Sequence, residues 1–292
     1  MSVDRLRSLP CWQGEITAEP LTGGLSNESW KVTDAAGQHV VRFGHDYPFH
    51  HVDRARELMT ARAAHAAGFA PKVEYAAPGV MVSAFLDART WTAADVQADP
   101  EAIATLLHRF HHAMPAHISG VGHIFWPFHV IRDYARTITR GNSPFIPDIP
   151  DMLKLAEALE AAQIPLPIIF GHHDMLPANI LQTDRLWLID FEYAGFGTAM
   201  FDLAGAASNA NMTPDQSTQL LTAYFDQAPD ERTQKAFDAM QCASLLRESM
   251  WAMVSDLHLD APGANYAAYA QENLDALATA LTNYRANHGS PK

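Results

Sequence analysis

The sequence His172-His173-Asp174-Met175-Leu176-Pro177-Ala178-Asn179, followed by Ile189-Asp190-Phe191, is the part of the chain that decides the fold. Two short apolar runs, residues 168–171 and 186–191, bracket these polar residues, so both polar segments fall at the ends of predicted strands. Carboxylate and amide oxygens are the hard ligands that Mg²⁺ prefers. The spacing therefore predicts a loop with one carboxylate for proton transfer and a separate pair of oxygen ligands for Mg²⁺.

The same spacing matches the catalytic loop of kinases, in which a His precedes an Asp by two residues and an Asn follows it by five. Asp174 can accept the proton of an acceptor hydroxyl, while Asn179 and Asp190 can hold Mg²⁺ against the phosphates of ATP. We assign His172 to the catalytic group as a hydrogen-bonding support of the loop. Polar turns beside buried strands are the plain alternative, and the agreement of every spacing disfavours it.

A phosphate-binding region is predicted in the first third of the chain. Glycines let the backbone approach phosphates closely, and neighbouring Ser and Asn side chains can add hydrogen bonds. Arg42 stands where protein kinases carry their phosphate-binding Lys, and Glu57 follows as its expected ion-pair partner. The candidate phosphate-turn residues are Gly23, Gly24, Ser26 and Asn27.

The order of predicted elements indicates an α+β fold. Strands are predicted at residues 28–33, 39–43, 72–76 and 80–85, with one helix at 52–67. Helices dominate from Ala93 onward and are predicted near residues 100–113, 128–139, 150–162, 214–227, 231–258 and 264–284. We therefore expect an N-terminal ATP-binding lobe over residues 1–87 and a catalytic and substrate-binding lobe over residues 88–292.

Composition excludes several classes of protein. The 292 residues carry a net charge of −13, and the 20 Lys and Arg residues form no dense run, so nucleic acid is not an expected partner. Cys11 and Cys242 lack the spacing of a metal site or a disulfide framework. No apolar leader and no long apolar run occurs, which predicts a cytoplasmic protein without a membrane span. Whether it is a monomer or a homodimer is left open.

These motifs resemble the choline/ethanolamine kinase family, within the aminoglycoside phosphotransferase-like branch of the protein-kinase-like superfamily. The resemblance rests on residues 21–27, 41–42, Arg54 with Glu57, 68–71, 172–181, 189–195 and Phe201-Asp202. It implies a bilobal fold with a small antiparallel sheet and one helix in the N-terminal lobe, and a larger, mainly helical C-terminal lobe. It also implies that the strand holding Met81 and Ser83 leads into a hinge beside the adenine of ATP.

The resemblance extends to an acceptor pocket for a small cationic alcohol. Choline kinases present two tryptophans three residues apart, and here Trp251 aligns with the second while Glu248 stands at the first. Aromatic faces favour quaternary ammonium groups, and carboxylates accept hydrogen bonds from primary amines, so choline leads only narrowly over ethanolamine. The predicted pocket residues are Glu192, Glu248, Trp251, Tyr266 and Tyr269. Glu192 would share the side of Asp190 if that segment is extended.

Three alternatives remain at this stage. The acceptor could be another metabolite or an aminoglycoside, or the chain could be a silent kinase fold that only binds ligands. The presence of Asp174, Asn179 and Asp190 together speaks against the silent module. His108 and His112 have the spacing of a helical zinc site, but the glutamate of the corresponding motif is absent because Arg109 follows His108.

Overall fold

A five-stranded antiparallel sheet forms the N-terminal part of the chain, in which the first five strands lie side by side in the order first, second, third, fifth and fourth. The structure is a computed structural model that describes residues 3–21, 28–260 and 263–291. The N-terminal elements are α1 (Val3–Arg7), β1 (Thr17–Leu21), β2 (Glu28–Thr33), β3 (Gln38–Phe43), α2 (Arg54–Ala66), β4 (Val73–Ala77) and β5 (Val80–Ala84). The prediction of one helix is therefore incomplete, because α1 precedes the sheet and buries Leu6 against it.

The two faces of this sheet differ in character, as the alternation of β-strands requires. Val41 and Val82 are paired on neighbouring strands and lie with Val32 in a small apolar core. The opposite face carries Arg42 opposite Met81, and Val40 opposite Ser83. Arg42 points towards α2, whose first turn is capped by the Asp53 side chain.

The C-terminal part is mainly helical. It contains β6 (Arg89–Thr90), α3 (Ala93–Ala98), α4 (Pro100–Ala113), α5 (Pro127–Arg140), α6 (Ile149–Ala161), β7 (Ile168–Gly171), β8 (Ile180–Gln182), β9 (Leu186–Leu188), β10 (Gly195–Thr198), α7 (Ala199–Asn209), α8 (Pro214–Phe225), α9 (Glu231–His258) and α10 (Tyr266–His288). The long helix α9 packs against α5, α6, α7 and α10 and forms the centre of the larger apolar core.

Short strands position the polar loops between the two parts. The strands β6, β8 and β9 form one small sheet, and β7 pairs with β10 in another. The loop 172–179 leaves the end of β7, and the segment 189–194 connects β9 to β10. The predicted boundary at Asp87 lies in the connection between β5 and β6, and it remains a prediction. Across the described residues, no helix combines the length and the apolar character needed to cross a membrane.

Candidate active site

Asp174 and Asn179 lie together at the end of β7. The Asn179 side-chain nitrogen donates to Asp174 Oδ2 at 3.0 Å and to the Asp174 carbonyl at 2.9 Å. This leaves Asn179 Oδ1 free of those bonds, as a metal ligand requires. Asp174 is half-buried, and desolvation together with the charges of Asp190 and Glu248 raises its pKa well above the ordinary range.

Asp190 is held beside this loop by backbone bonds on both sides of Ile189. The Ile189 N–H donates to the Asn179 carbonyl at 3.1 Å, and His172 Nε2 donates to the Ile189 carbonyl at 2.9 Å. His172 is fully buried, so its side chain lies behind the loop and supports the Ile189 carbonyl. Asn179 and Asp190 are thereby fixed relative to each other.

The donor set suits Mg²⁺. Asn179 and Asp190 offer an amide oxygen and a carboxylate, and Mg²⁺ is commonly bound by one or two such groups plus phosphate oxygens and water. Among the described residues no group of three or more His, Cys, Asp or Glu side chains could hold a metal ion. A metal bound here would therefore take its remaining ligands from nucleotide phosphates and water.

Asp202, on α7, anchors the start of the loop 172–179. Its carboxylate accepts the His172 and His173 N–H groups, both at 2.7 Å, and His111 Nε2 lies 2.9 Å from it. Burial raises the pKa of Asp202, but the hydrogen bond from His111 and nearby histidine charges outweigh this effect and lower it. Asp202 was part of the resemblance without an assigned role, and His111 was one of the histidines expected to be structural or on the surface.

The predicted ion pair between Arg42 and Glu57 is present between β3 and α2. Arg42 Nη1 also donates to Asp190 Oδ1 at 2.8 Å, which links the N-terminal sheet to the proposed metal site. Met81 and Arg42 line a small cavity between the sheet and α2, and Ser83 lies on the same sheet face as Met81. The candidates Gly23, Gly24, Ser26 and Asn27 lie outside the described residues.

The segment that holds Glu192 does not have the extended conformation that was expected. Asp190 has φ 66°, so the segment is not extended and its side chains do not alternate as a strand would. The Glu192 carboxylate instead accepts a hydrogen bond from Arg54 Nη1 at 2.9 Å, and Arg56 Nη2 donates to the Glu192 carbonyl at 2.9 Å. Burial and the charge of Asp190 raise the pKa of Glu192. Its side chain therefore joins the two lobes, and its contact with an acceptor stays a prediction.

The other predicted pocket residues come together. Trp251 meets Tyr266 and Tyr269 edge to face, with ring centroids 6.0 and 6.3 Å apart, and the Tyr269 hydroxyl donates to Glu248 Oε1 at 3.1 Å. Trp251 Nε1 donates to the Tyr193 hydroxyl at 2.9 Å. An aromatic and acidic cluster therefore lies where α9 and α10 approach the segment 190–193.

Two residues in this cluster were missed by sequence analysis. His50, from the loop between β3 and α2, stacks on Trp251 with ring centroids 5.0 Å apart and covers one of its faces. Arg247 is buried next to Glu248 and lies over the Tyr193 ring. In the sequence, the charged pair Arg247-Glu248 interrupts the apolar stretch of α9, and this signal could have identified Arg247 as a candidate residue. No such signal exists for His50, because only the tertiary fold brings it next to Trp251.

The chain is similar to known phosphotransferases. The model of the phosphotransferase enzyme family, APH, matches residues 17–237. A probable ethanolamine kinase of Arabidopsis thaliana is 25% identical over 280 residues, covering 82% of this chain and 73% of that protein.

Solved structures also share the fold. A choline/ethanolamine kinase family protein from Mesorhizobium loti has a TM-score of 0.77 at 23% identity and covers 98% of this chain and 97% of its own. The choline kinase LicA from Streptococcus pneumoniae has a TM-score of 0.76 at 20% identity, covering 94% and 97%. Fold and site together define a phosphotransferase with the predicted bilobal kinase-like architecture. The chain belongs to the phosphotransferase enzyme family.

Proposed function

We propose that this protein transfers the γ-phosphoryl group of ATP to the hydroxyl of an amino alcohol, with choline and ethanolamine as the leading acceptors. The observation that carries the proposal is the joint placement of Asp174, Asn179 and Asp190 at the junction of the two lobes. Names of the relatives support the acceptor class. Free Cys11 and Cys242 agree with the cytoplasmic location that we also propose.

In this proposal Asp174 accepts the proton of the acceptor hydroxyl while the hydroxyl oxygen forms a bond to the γ-phosphorus of ATP. The bond from that phosphorus to the β-phosphate oxygen breaks, and ADP leaves. Asn179 and Asp190 would hold Mg²⁺, which neutralises phosphate charge when bound. Arg42, oriented by Glu57, would contact the phosphates, and Met81 and Ser83 would lie near the adenine.

Glu248, Trp251, Tyr266 and Tyr269 form the proposed cation pocket. His50 covers one face of Trp251, so less aromatic surface is left for contact with a quaternary ammonium group. Glu248 offers a carboxylate, which can accept a hydrogen bond from a primary amine. The rates of phosphorylation of choline and ethanolamine distinguish these two acceptors. A second metabolite or an aminoglycoside as acceptor would appear in the same assay.

The decisive experiment incubates the protein with ATP, Mg²⁺ and a panel of amino alcohols, sugars and aminoglycosides, and detects phosphorylated products by mass. Asp174→Ala should lower turnover at least about 100-fold while ATP binding is retained, because it removes only the base. Asp151→Ala, which changes an exposed aspartate paired with Lys154, is the control and should leave activity intact. Retention of more than about a tenth of the activity by Asp174→Ala would contradict the assignment of the base.

A further inference from the structure

Arg247 is a buried cation whose hydrogen bonding is incomplete. Its side chain is 5% exposed, and Nη1 donates to Glu248 Oε2 at 2.5 Å. Nε and Nη2 are inaccessible to solvent and have no hydrogen-bond partner among residues 3–21, 28–260 and 263–291. These two nitrogens carry three N–H donors, and buried charged donors left without acceptors are costly.

The residues around Arg247 place it in the proposed acceptor pocket. Its guanidinium carbon lies 4.7 Å from the centre of the Tyr193 ring, and Trp251 bonds the hydroxyl of the same tyrosine. An aromatic face favours a cation but does not supply the oxygen lone pairs that the free donors need. Glu248 is 22% exposed, so the Arg247–Glu248 pair reaches from the interior towards the accessible part of the pocket.

Resting on the proposed function, we propose that Arg247 binds an anionic oxygen group in the acceptor pocket through Nε and Nη2. The guanidinium fork matches the planar geometry of such a group and gives two parallel hydrogen bonds. The group has two possible sources, a carboxylate on the acceptor itself or the phosphoryl group in transfer. An acceptor with both an ammonium and a carboxylate would meet Glu248 and Arg247 side by side.

Ethanolamine and L-serine form a matched pair of test acceptors, because they differ by one carboxylate next to the amine. Steady-state kinetics with both would compare the unchanged protein with Arg247→Met, which removes the donors, and Arg247→Lys, which keeps the charge but loses the fork. Arg132→Met serves as the control, since Arg132 pairs with Glu160 on the outside of α5 and α6. Its kinetics should match those of the unchanged protein.

If the acceptor supplies the carboxylate, Arg247→Met should lower kcat/KM for serine at least about tenfold and leave ethanolamine within threefold, as expected for a lost charge-assisted bond. If the phosphoryl group is the ligand, kcat should fall about tenfold or more with both acceptors while their KM values stay constant. In either case the affected kinetic constant of Arg247→Lys should lie between those of the unchanged protein and Arg247→Met. Values within threefold of the unchanged protein for both acceptors in Arg247→Met would overturn the inference.

A binding measurement separates this inference from the proposed function and covers a variant that folds poorly. Thermal unfolding of the unchanged protein would be followed with ethanolamine, L-serine or inorganic phosphate, without ATP. A rise in Tm with serine or phosphate that Arg247→Lys reduces supports the inference even if no acceptor is phosphorylated. Equal stabilisation of the unchanged protein and Arg247→Lys by each of these ligands would refute it.

Discussion

Asp190 has an unusual backbone conformation for a residue with a side chain. Its φ of 66° lies in the left-handed region, which costs an L-residue about 1–2 kcal/mol. His173, on the neighbouring catalytic loop, has φ 62°. Hydrogen bonds at Ile189, and from Arg42 to the Asp190 side chain, hold this geometry in place. Strain of this kind is found where a site must aim a side chain.

Two substitutions that both remove the Asp190 carboxylate should therefore differ in stability. Asp190→Gly is expected to be more stable than Asp190→Ala, with a free energy of unfolding about 1 kcal/mol larger, because glycine adopts positive φ without a Cβ clash. Both variants should lose activity and need far more Mg²⁺, since a charged ligand is gone. Urea unfolding and magnesium titration would check this. Equal stability of the two variants, or an unchanged Mg²⁺ requirement, would count against the respective claim.

At the scale of elements, the β2–β3 hairpin is fastened to β4 by His39. Its Nδ1 lies 2.6 Å from Glu74 and its Nε2 lies 3.0 Å from Asp34. Burial lowers the pKa of His39, but the hydrogen bonds to Asp34 and Glu74 outweigh it and raise the pKa above the ordinary value of 6.5. The folded state therefore binds this proton more tightly than the unfolded chain does.

The stabilisation from His39 should depend on pH in a defined direction. Because the folded pKa is raised, the contribution is complete below about pH 6.5 and declines as the pH rises through the folded value. His39→Gln should cost about 1.5 kcal/mol at pH 5.5 and less at pH 9. Urea unfolding of both proteins at the two pH values would measure it. A cost that grows with pH would contradict the protonated bridge.

Most elements could be predicted from local pattern, and those that could not have a physical reason. The helix over residues 231–258 and the strand over 28–33 have the predicted bounds. Helix α7 was missed because it is buried on nearly every side and lacks amphipathic periodicity. Strand β1 was not predicted because it contains Pro20 and is largely exposed at the sheet edge. Strand β10 was not predicted because it contains two glycines.

At the scale of the whole molecule, buried ion pairs join the lobes. Arg42 contacts Asp190, and Arg54 contacts Glu192, with side chains that are 25% exposed or less. The proximity of Asp174, Asn179 and Asp190 could be predicted because their spacing within two loops at strand ends brings them together. The lobe-joining role of Glu192 and the positions of His50 and Arg247 depend on how distant segments fold together, which no local pattern contains.

The Arg54–Glu192 pair should show strong coupling in unfolding. Arg54→Met is expected to destabilise the protein by about 3 kcal/mol, because a buried carboxylate loses its cation. Adding Glu192→Gln should recover part of that loss, so the double variant costs less than the sum of the single ones. A double-mutant cycle in urea would measure the coupling. Strict additivity would mean that the two side chains contribute independently.

The stacking of His50 on Trp251 has a kinetic consequence. His50 follows the strand of Arg42, and its ring nitrogens lie 2.8 Å from Ser255 and 3.3 Å from Tyr134, so an N-terminal loop forms one wall of the proposed acceptor pocket. Separation of the two lobes would part the His50 imidazole from the Trp251 indole, and Trp251 emission should report that separation. Stopped-flow mixing with ATP should give a fluorescence transient that His50→Ala abolishes. Nucleotide and acceptor are expected to bind in a preferred order, because Arg42 on β3 and His50 in the loop after it contact the two proposed sites.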